Sequence, residues 1–142
     1  MNEYQIKILH EAAINRIWEK HRLMDSSVLD RGYCLPESLV KDSILFVGIN
    51  PSFDVKKDKR GSFFYPIVQT ESGNKYFNKF PAIAQELGLP WSHLDLLYFR
   101  NTAQKYVGFL VGNKNPACLD FINEQLAVSK QIIEGTDRKS VV

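Results

Sequence analysis

An uninterrupted apolar run, Ile44-Leu45-Phe46-Val47-Gly48-Ile49, stopped by Asn50-Pro51, narrows the folds open to this chain. A strand with one wet face alternates apolar and polar residues. A short run without alternation, rich in β-branched and aromatic side chains, reads as a strand covered on both faces, as in the middle of a parallel sheet. Proline ends such a strand because it has no N–H for the ladder and holds the residue before it in extended geometry. Residues 43 to 50 are therefore predicted to form the central strand.

The flanking segments supply the covering layers. Ile6, Leu9, Ala13 and Ile17 recur at helical spacing, predicting an amphipathic helix over 3 to 22. Residues 31 to 36 have turn chemistry and read as a loop, and 51 to 73 form a long irregular segment in which Phe63, Phe64 and Tyr65 argue against disorder. A second helix is expected from Asn74, with Phe77, Phe80, Ala84 and Leu87 on one face, Pro81 as a kink and Gly88 just past its end. Residues 93 to 99 read as a second apolar strand. Asn115-Pro116 opens a last helix whose Leu119, Ile122, Leu126 and Ile133 face inward and which Gly135 ends. Lys139-Ser140-Val141-Val142 has the character of a third strand just beginning, so residues 1–142 are expected to be one domain that is incomplete at its C-terminus. The alternation predicts an α/β fold: a three-layer α/β/α sandwich around a central parallel sheet with its last strands missing.

Composition excludes several classes. A 142-residue chain that is 44% hydrophobic suits one domain with a real core. Its apolar runs fall far short of the roughly 20 residues that a membrane span needs, and Met1-Asn2-Glu3 does not open a signal peptide. The expectation is a cytoplasmic monomer with no membrane partner. Cys34 and Cys118 are too few and too far apart for a disulfide scaffold or a clustered metal site and read as buried small hydrophobes. His10 and His21 lack ligand spacing, and neither a metal nor a cofactor is expected. The net charge of +2 permits contact with phosphates without predicting it. A serine-hydrolase elbow around Ser52 and a Gly-Lys-Ser/Thr phosphate loop are both missing.

Ligands of parallel α/β sheets bind at the carboxyl ends of the strands, which directs attention to Gly48-Ile49-Asn50-Pro51-Ser52 and to Arg100-Asn101. Pro51 restrains Asn50, so its amide is expected to be held in one direction. His93 and Asp95 alternate onto one strand face, but at the expected strand entrance, away from that rim, and a structural role is assigned to them. In the run 54 to 60, Lys56, Lys57, Lys59 and Arg60 accompany two aspartates, giving either a solvated loop or a set of phosphate contacts. Lys75, Lys79 and Arg100 are read first as ordinary surface charges.

Three segments in this order, Ile-Leu-Phe-Val-Gly-Ile-Asn-Pro-Ser at 44 to 52, Gly-Ser-Phe-Phe-Tyr-Pro at 61 to 66 and Asn-Lys-Tyr-Phe-Asn-Lys-Phe at 74 to 80, resemble the uracil-DNA glycosylase superfamily, most closely its mismatch-specific branch. The resemblance extends from residue 44 to about 102. It implies that Asn50 positions an attacking water, that Phe64, or else Phe63 or Tyr65, stacks on the extracted base, and that Asn101 reads the base edge. Gly48, Ile49, Pro51, Ser52 and Phe53 would line the base site, with the N–H groups of Ser52 and Phe53 toward a base oxygen. Ser52 departs from the glycine usual there, and the family's later DNA-wedging loop has no counterpart.

What the resemblance implies is hydrolysis of the N-glycosidic bond of uracil or a related damaged base in DNA. Such a bond breaks through a cationic sugar, so water placement and stabilisation of the departing base matter more than nucleophilic force. An asparagine can orient water by accepting a hydrogen bond but is no base near neutrality. Without a wedge, single-stranded or mismatched DNA is the expected substrate, since flipping a paired base costs a few kcal/mol. The alternatives are a non-catalytic nucleic-acid-binding member of the same fold and a small-molecule nucleotide-binding α/β protein.

Overall fold

A computed structural model describes residues 2–67, 75–103 and 105–136, with the backbone alone at 75–77. In chain order the elements are β1 (Glu3–Gln5), α1 (Ile6–Lys20), α2 (Ser26–Leu29), β2 (Cys34–Pro36), β3 (Ser38–Val40), β4 (Ile44–Gly48), β5 (Phe63–Tyr65), α3 (Lys75–Leu87), β6 (Trp91–Asp95), α4 (Lys105–Gly112) and α5 (Pro116–Gly135). The fold is α/β, built among the described residues from helices and three two-stranded sheets: β1 antiparallel to β3, β2 parallel to β5, and β4 parallel to β6. No helix among the described residues is long and apolar enough to cross a membrane.

The β4–β6 pair explains the unbroken apolar run. Leu45 and Leu94, both fully buried, pack into the larger core with Ile6, Ile14 and Ile17 of α1 and Phe121 and Ile132 of α5. Ile44, Phe46 and Trp91 point the other way, against Phe80 and Ala84 of α3. Both faces of β4 are covered, so its run needs no polar alternation, and each fully buried Leu contributes about 1.5–3 kcal/mol relative to exposure.

Several boundaries differ from the sequence expectation. β6 starts two residues earlier than predicted and ends at Asp95, because Trp91 and Ser92 pair with Ile44 and Leu45. Beyond it the chain remains buried, but the Tyr98 N–H goes to the Gln125 side chain at 2.8 Å instead of a ladder partner. The loop expected at 31 to 36 contains β2, whose Cys34, Leu35 and Pro36 pair with Phe63, Phe64 and Tyr65. Glu3 to Gln5 form a strand before α1. α4 was not anticipated, since Val107, Leu110 and Val111 with Gly108 and Gly112 give no single polar face to recognise.

α5 begins as expected: Asn115 caps it, accepting from the Ala117 N–H at 3.0 Å, with Pro116 in the first turn. Its buried face, however, is Cys118, Phe121, Ile122, Gln125, Val128, Ser129 and Ile132, while Leu119 and Leu126 are exposed. α1 keeps Ile6 and Ile17 inside as expected but also buries His10, Ile14 and Trp18 and exposes Leu9. Buried polar side chains account for the error, because they occupy core positions that an apolar count assigns elsewhere. His10 bonds the Tyr4 hydroxyl at 2.6 Å, and His21 bonds Glu124 of α5 at 2.5 Å. Both cysteines are free and buried. Gly88 takes φ +68° just past α3, the left-handed stop that glycine permits. The expected helix start at Asn74 and the strand expected at Lys139 to Val142 lie outside the described residues.

Candidate functional site

Parallel pairing brings the carboxyl ends of β4 and β6 to one edge, and the chain beyond each strand continues side by side. The Gly48 and Ile49 carbonyl oxygens accept from Leu96 and Leu97 N–H at 3.1 and 2.9 Å, and Pro51 O accepts from Asn101 N–H at 2.9 Å. Gly48, Ile49, Asn50, Pro51 and Asn101 thus share one rim, with Ile49 48% exposed at its lip.

Asn50 is half-buried, and its amide is held from one side. Nδ2 donates to Asn101 O at 2.8 Å and Pro51 O at 3.0 Å, with Phe99 O a longer third contact at 3.4 Å. The opposite amide orientation would set its oxygen against three carbonyl oxygens, so the network itself fixes which atom is which. Oδ1 remains an acceptor with no protein partner among the described residues. Asn101 is the complement: its Oδ1 accepts from Ala103 N–H at 3.0 Å in a local turn, leaving Nδ2 as a donor.

Ser52 is exposed, but Phe53 is not placed as the sequence suggested. Its ring is 5% exposed and its N–H donates to Thr102 Oγ1 at 3.1 Å, while that hydroxyl donates to Phe53 O at 2.9 Å. The Phe53 N–H is therefore committed to the protein and does not face a ligand. Guanidinium groups lie on the ring, Arg31 at 4.7 Å and Arg100 at 4.8 Å from its centroid.

Arg100 is no surface charge: it is 4% exposed and one Nη donates to Arg31 O, Lys59 O and Gly61 O at 2.9, 2.9 and 3.1 Å. Arg31 returns a bond to Arg100 O at 3.0 Å. No carboxylate pairs with either guanidinium among the described residues. The pair fastens the loop before β5 to the rim, and Gly32 lets it close: at φ +78°, a Cβ there would lie 2.4 Å from Ser62 N.

The three aromatics of β5 part company because strand side chains alternate. Phe64 turns to the core margin, edge-on to Tyr33 at 5.7 Å, with the Lys7 ammonium 6.0 Å from its centroid. Phe63, 44% exposed, sits under the Arg100 guanidinium at 5.0 Å, with Tyr65 6.5 Å away. Of the three rings, Phe63 is the one joined to the rim through Arg100.

Lys56, Lys57, Lys59 and Arg60 are all exposed and make no ion pair among the described residues. The two aspartates beside them are turned to the loop's own backbone: Asp58 accepts from Asp54 N–H at 2.8 Å and Asp54 from Lys56 N–H at 2.9 Å. The cations are left facing solvent. Lys79 holds its ammonium 5.6 Å from the Phe80 ring, and the side chain of Lys75 lies outside the described atoms.

The earlier β6 boundary moves His93 and Asp95. His93 is mid-strand and 1% exposed, stacked on Phe80 at 5.4 Å; Asp95 is the last residue of β6, opposite Gly48, and therefore stands at the rim and not at the strand entrance. His93 Nε2 is 3.7 Å from Asp95 Oδ1. Burial pushes the Asp95 carboxyl up to about 7 and the His93 imidazole down to about 4. Sequence reasoning missed Asp95 by placing the strand two residues late; the apolar Trp91 ahead of Ser92 and His93 was the available signal.

Among the described residues no group of three His, Cys, Asp or Glu is arranged to hold a metal ion. A separate cleft of about 230 Å³, lined by Glu3, Gln5, Glu37, Ser38, Val40, Pro66 and Ile67, includes none of the rim residues. No family model matches the chain, and no curated protein or solved structure matches it either.

Proposed function

We propose that the chain is a uracil-DNA glycosylase-like hydrolase that cleaves the N-glycosidic bond of uracil or a related base in DNA, with Asn50 positioning the attacking water. The observation that carries this reading is the Asn50 amide, whose N–H groups are spent on the Asn101 and Pro51 carbonyls while Oδ1 stays open as an acceptor. Water held through one of its own hydrogens keeps a lone pair for the sugar carbon, which is what a bond breaking through a cationic sugar requires. Asn101 Nδ2 offers a donor on the same rim, and Phe63, in preference to Phe64, offers a ring on which a base would stack, worth about 1–3 kcal/mol. In this reading β4 and β6 are the centre of a three-layer α/β/α sandwich, with α3 outside one face and α1 and α5 outside the other.

Uracil-containing single-stranded and mismatched DNA, incubated with the protein and then treated with alkali, tests it. The wild-type chain is expected to give strand breaks and Asn50→Ala to reduce them about a hundredfold. No breaks with either substrate overturns the reading. The unpaired cations at 56 to 60 favour a second reading, a non-catalytic nucleic-acid-binding module, which binding without breaks would select.

A further inference from the structure

Asp95 is the group at the rim that the fold leaves unexplained. The residue is 8% exposed, yet no protein hydrogen bond reaches its carboxyl among the described residues; His93 Nε2 stands 3.7 Å from Oδ1, beyond hydrogen-bond reach. A carboxyl that burial has shifted this far, standing at a strand end with a little of its surface still open to solvent, is the kind of group that clusters at functional sites. Its position is equally specific. It ends β6 opposite Gly48, two residues before Asn50, and its side chain keeps 12% of its surface in contact with solvent, so a ligand at the rim can reach it.

We propose that Asp95 is a recognition residue of this rim: held as the carboxylic acid, it donates its O–H and accepts through its carbonyl oxygen against a nucleobase edge presenting an acceptor beside an N–H, as the uracil imide does. The inference rests on the nucleobase reading of the rim. A neutral carboxyl has one donor and one acceptor side by side, which a carboxylate lacks. Its surroundings favour the neutral form up to about pH 7. β4 and β3 bring no titratable side chain to it, and among the described side chains of α3 the buried ones are Phe80, Pro81 and Ala84. β2 brings Cys34, itself pushed up to about 12 by burial and acted on by Arg100 and Asp58 as well as by Asp95. Lys79 is exposed and turned to the Phe80 ring. Among the described residues no lysine or arginine is paired with Asp95, and burial raises its carboxyl to about 7.

Binding of free uracil, followed by NMR shifts at pH 5.5 to 8.5, tests the assignment. Wild-type affinity is expected to be flat below about pH 6.5 and to fall about tenfold per unit above pH 7. Asp95→Asn, which keeps a donor beside an acceptor but cannot ionise, should bind with no pH dependence, and Asp95→Ala should lose about tenfold or more at pH 6. Full uracil affinity in Asp95→Ala, or wild-type affinity that rises with pH, overturns the inference while leaving the glycosidic reading in place. Uracil binding with this pH pattern but without base release from DNA upholds the role of Asp95 and sinks the hydrolytic reading. Failure of the wild-type chain to bind uracil overturns the inference. The retained binding of Asp95→Asn separates recognition from misfolding.

Discussion

Gly48 and Asp95 face each other across the last rung of the β4–β6 ladder, so a residue without a side chain stands beside a buried carboxyl where both strands end. Two residues further on, the Asn50 amide is tied to the backbone beyond β6. The rim is thus assembled from two strands distant in sequence, and its predictions can be checked one residue at a time.

The His93–Asp95 pair gives opposing pH dependences. The Asp95 carboxyl is raised from 3.8 to about 7, so the stability it allows is complete below about pH 4 and is lost as pH rises through 7. The His93 imidazole is lowered from 6.5 to about 4, so its contribution is complete above about pH 6.5 and is lost as pH falls through 4. In the wild-type chain the two slopes oppose each other between pH 4 and 6.5. Urea unfolding of Asp95→Asn should show stability falling steadily from pH 6.5 to 4, and His93→Gln should show the reverse, falling from pH 4 to 7. A flat profile in both variants contradicts the burial argument.

Replacing Asn50 with Asp inserts a stronger base at the cost of the rim. A carboxylate cannot donate to the Asn101 and Pro51 carbonyls, and it faces them as a like dipole. Asn50→Asp should lower the unfolding free energy by about 1–3 kcal/mol, more than Asn50→Ala, as read from urea midpoints at constant slope.

Gly32 and Gly88 both hold positive φ, but only one is crowded. A Cβ at Gly32 would meet Ser62 N at 2.4 Å and Gly61 C at 2.5 Å, both backbone, whereas nothing lies within 4 Å at Gly88. Gly88→Ala should cost about 1 kcal/mol from backbone strain alone, and Gly32→Ala distinctly more. Gly32→Ala should also loosen the loop that Arg31 and Arg100 fasten, seen as faster proteolysis at residues 59 to 61. Equal midpoints for the two variants would contradict this account.

The solvent-facing cations at 56, 57, 59 and 60 predict a salt-dependent contact with nucleic acid. For single strands, each phosphate neutralised contributes about 0.7 to the slope of log K against log salt. Changing Lys56, Lys57, Lys59 and Arg60 together to Gln should flatten that slope by about 2 or more without moving the melting temperature, because none of the four side chains holds an ion pair among the described residues. An unchanged slope reduces this loop to ordinary solvated surface.

Local chemistry alone determined the buried apolar strand that ends just short of Asn50-Pro51, the Asn115 cap of α5 and the glycine ending α3, since each depends on a residue's immediate neighbours. The faces of α1 and α5 were only partly legible: Ile6, Ile17 and Ile122 lie inside as expected, but His10, Gln125 and Ser129 also take core positions through hydrogen bonds to Tyr4 of β1 and to the segment beyond β6. The candidate site divides in the same way. Asn50 and Asn101 were visible from the strand ends, whereas the inward turn of Phe64, the burial of Phe53 against two guanidinium groups and the place of Asp95 followed from register and from contacts between segments dozens of residues apart. A one-rung shift in pairing changes which side chains reach a rim, and pairing is decided by the whole core, so only the tertiary structure could bring the buried carboxyl to the strand end.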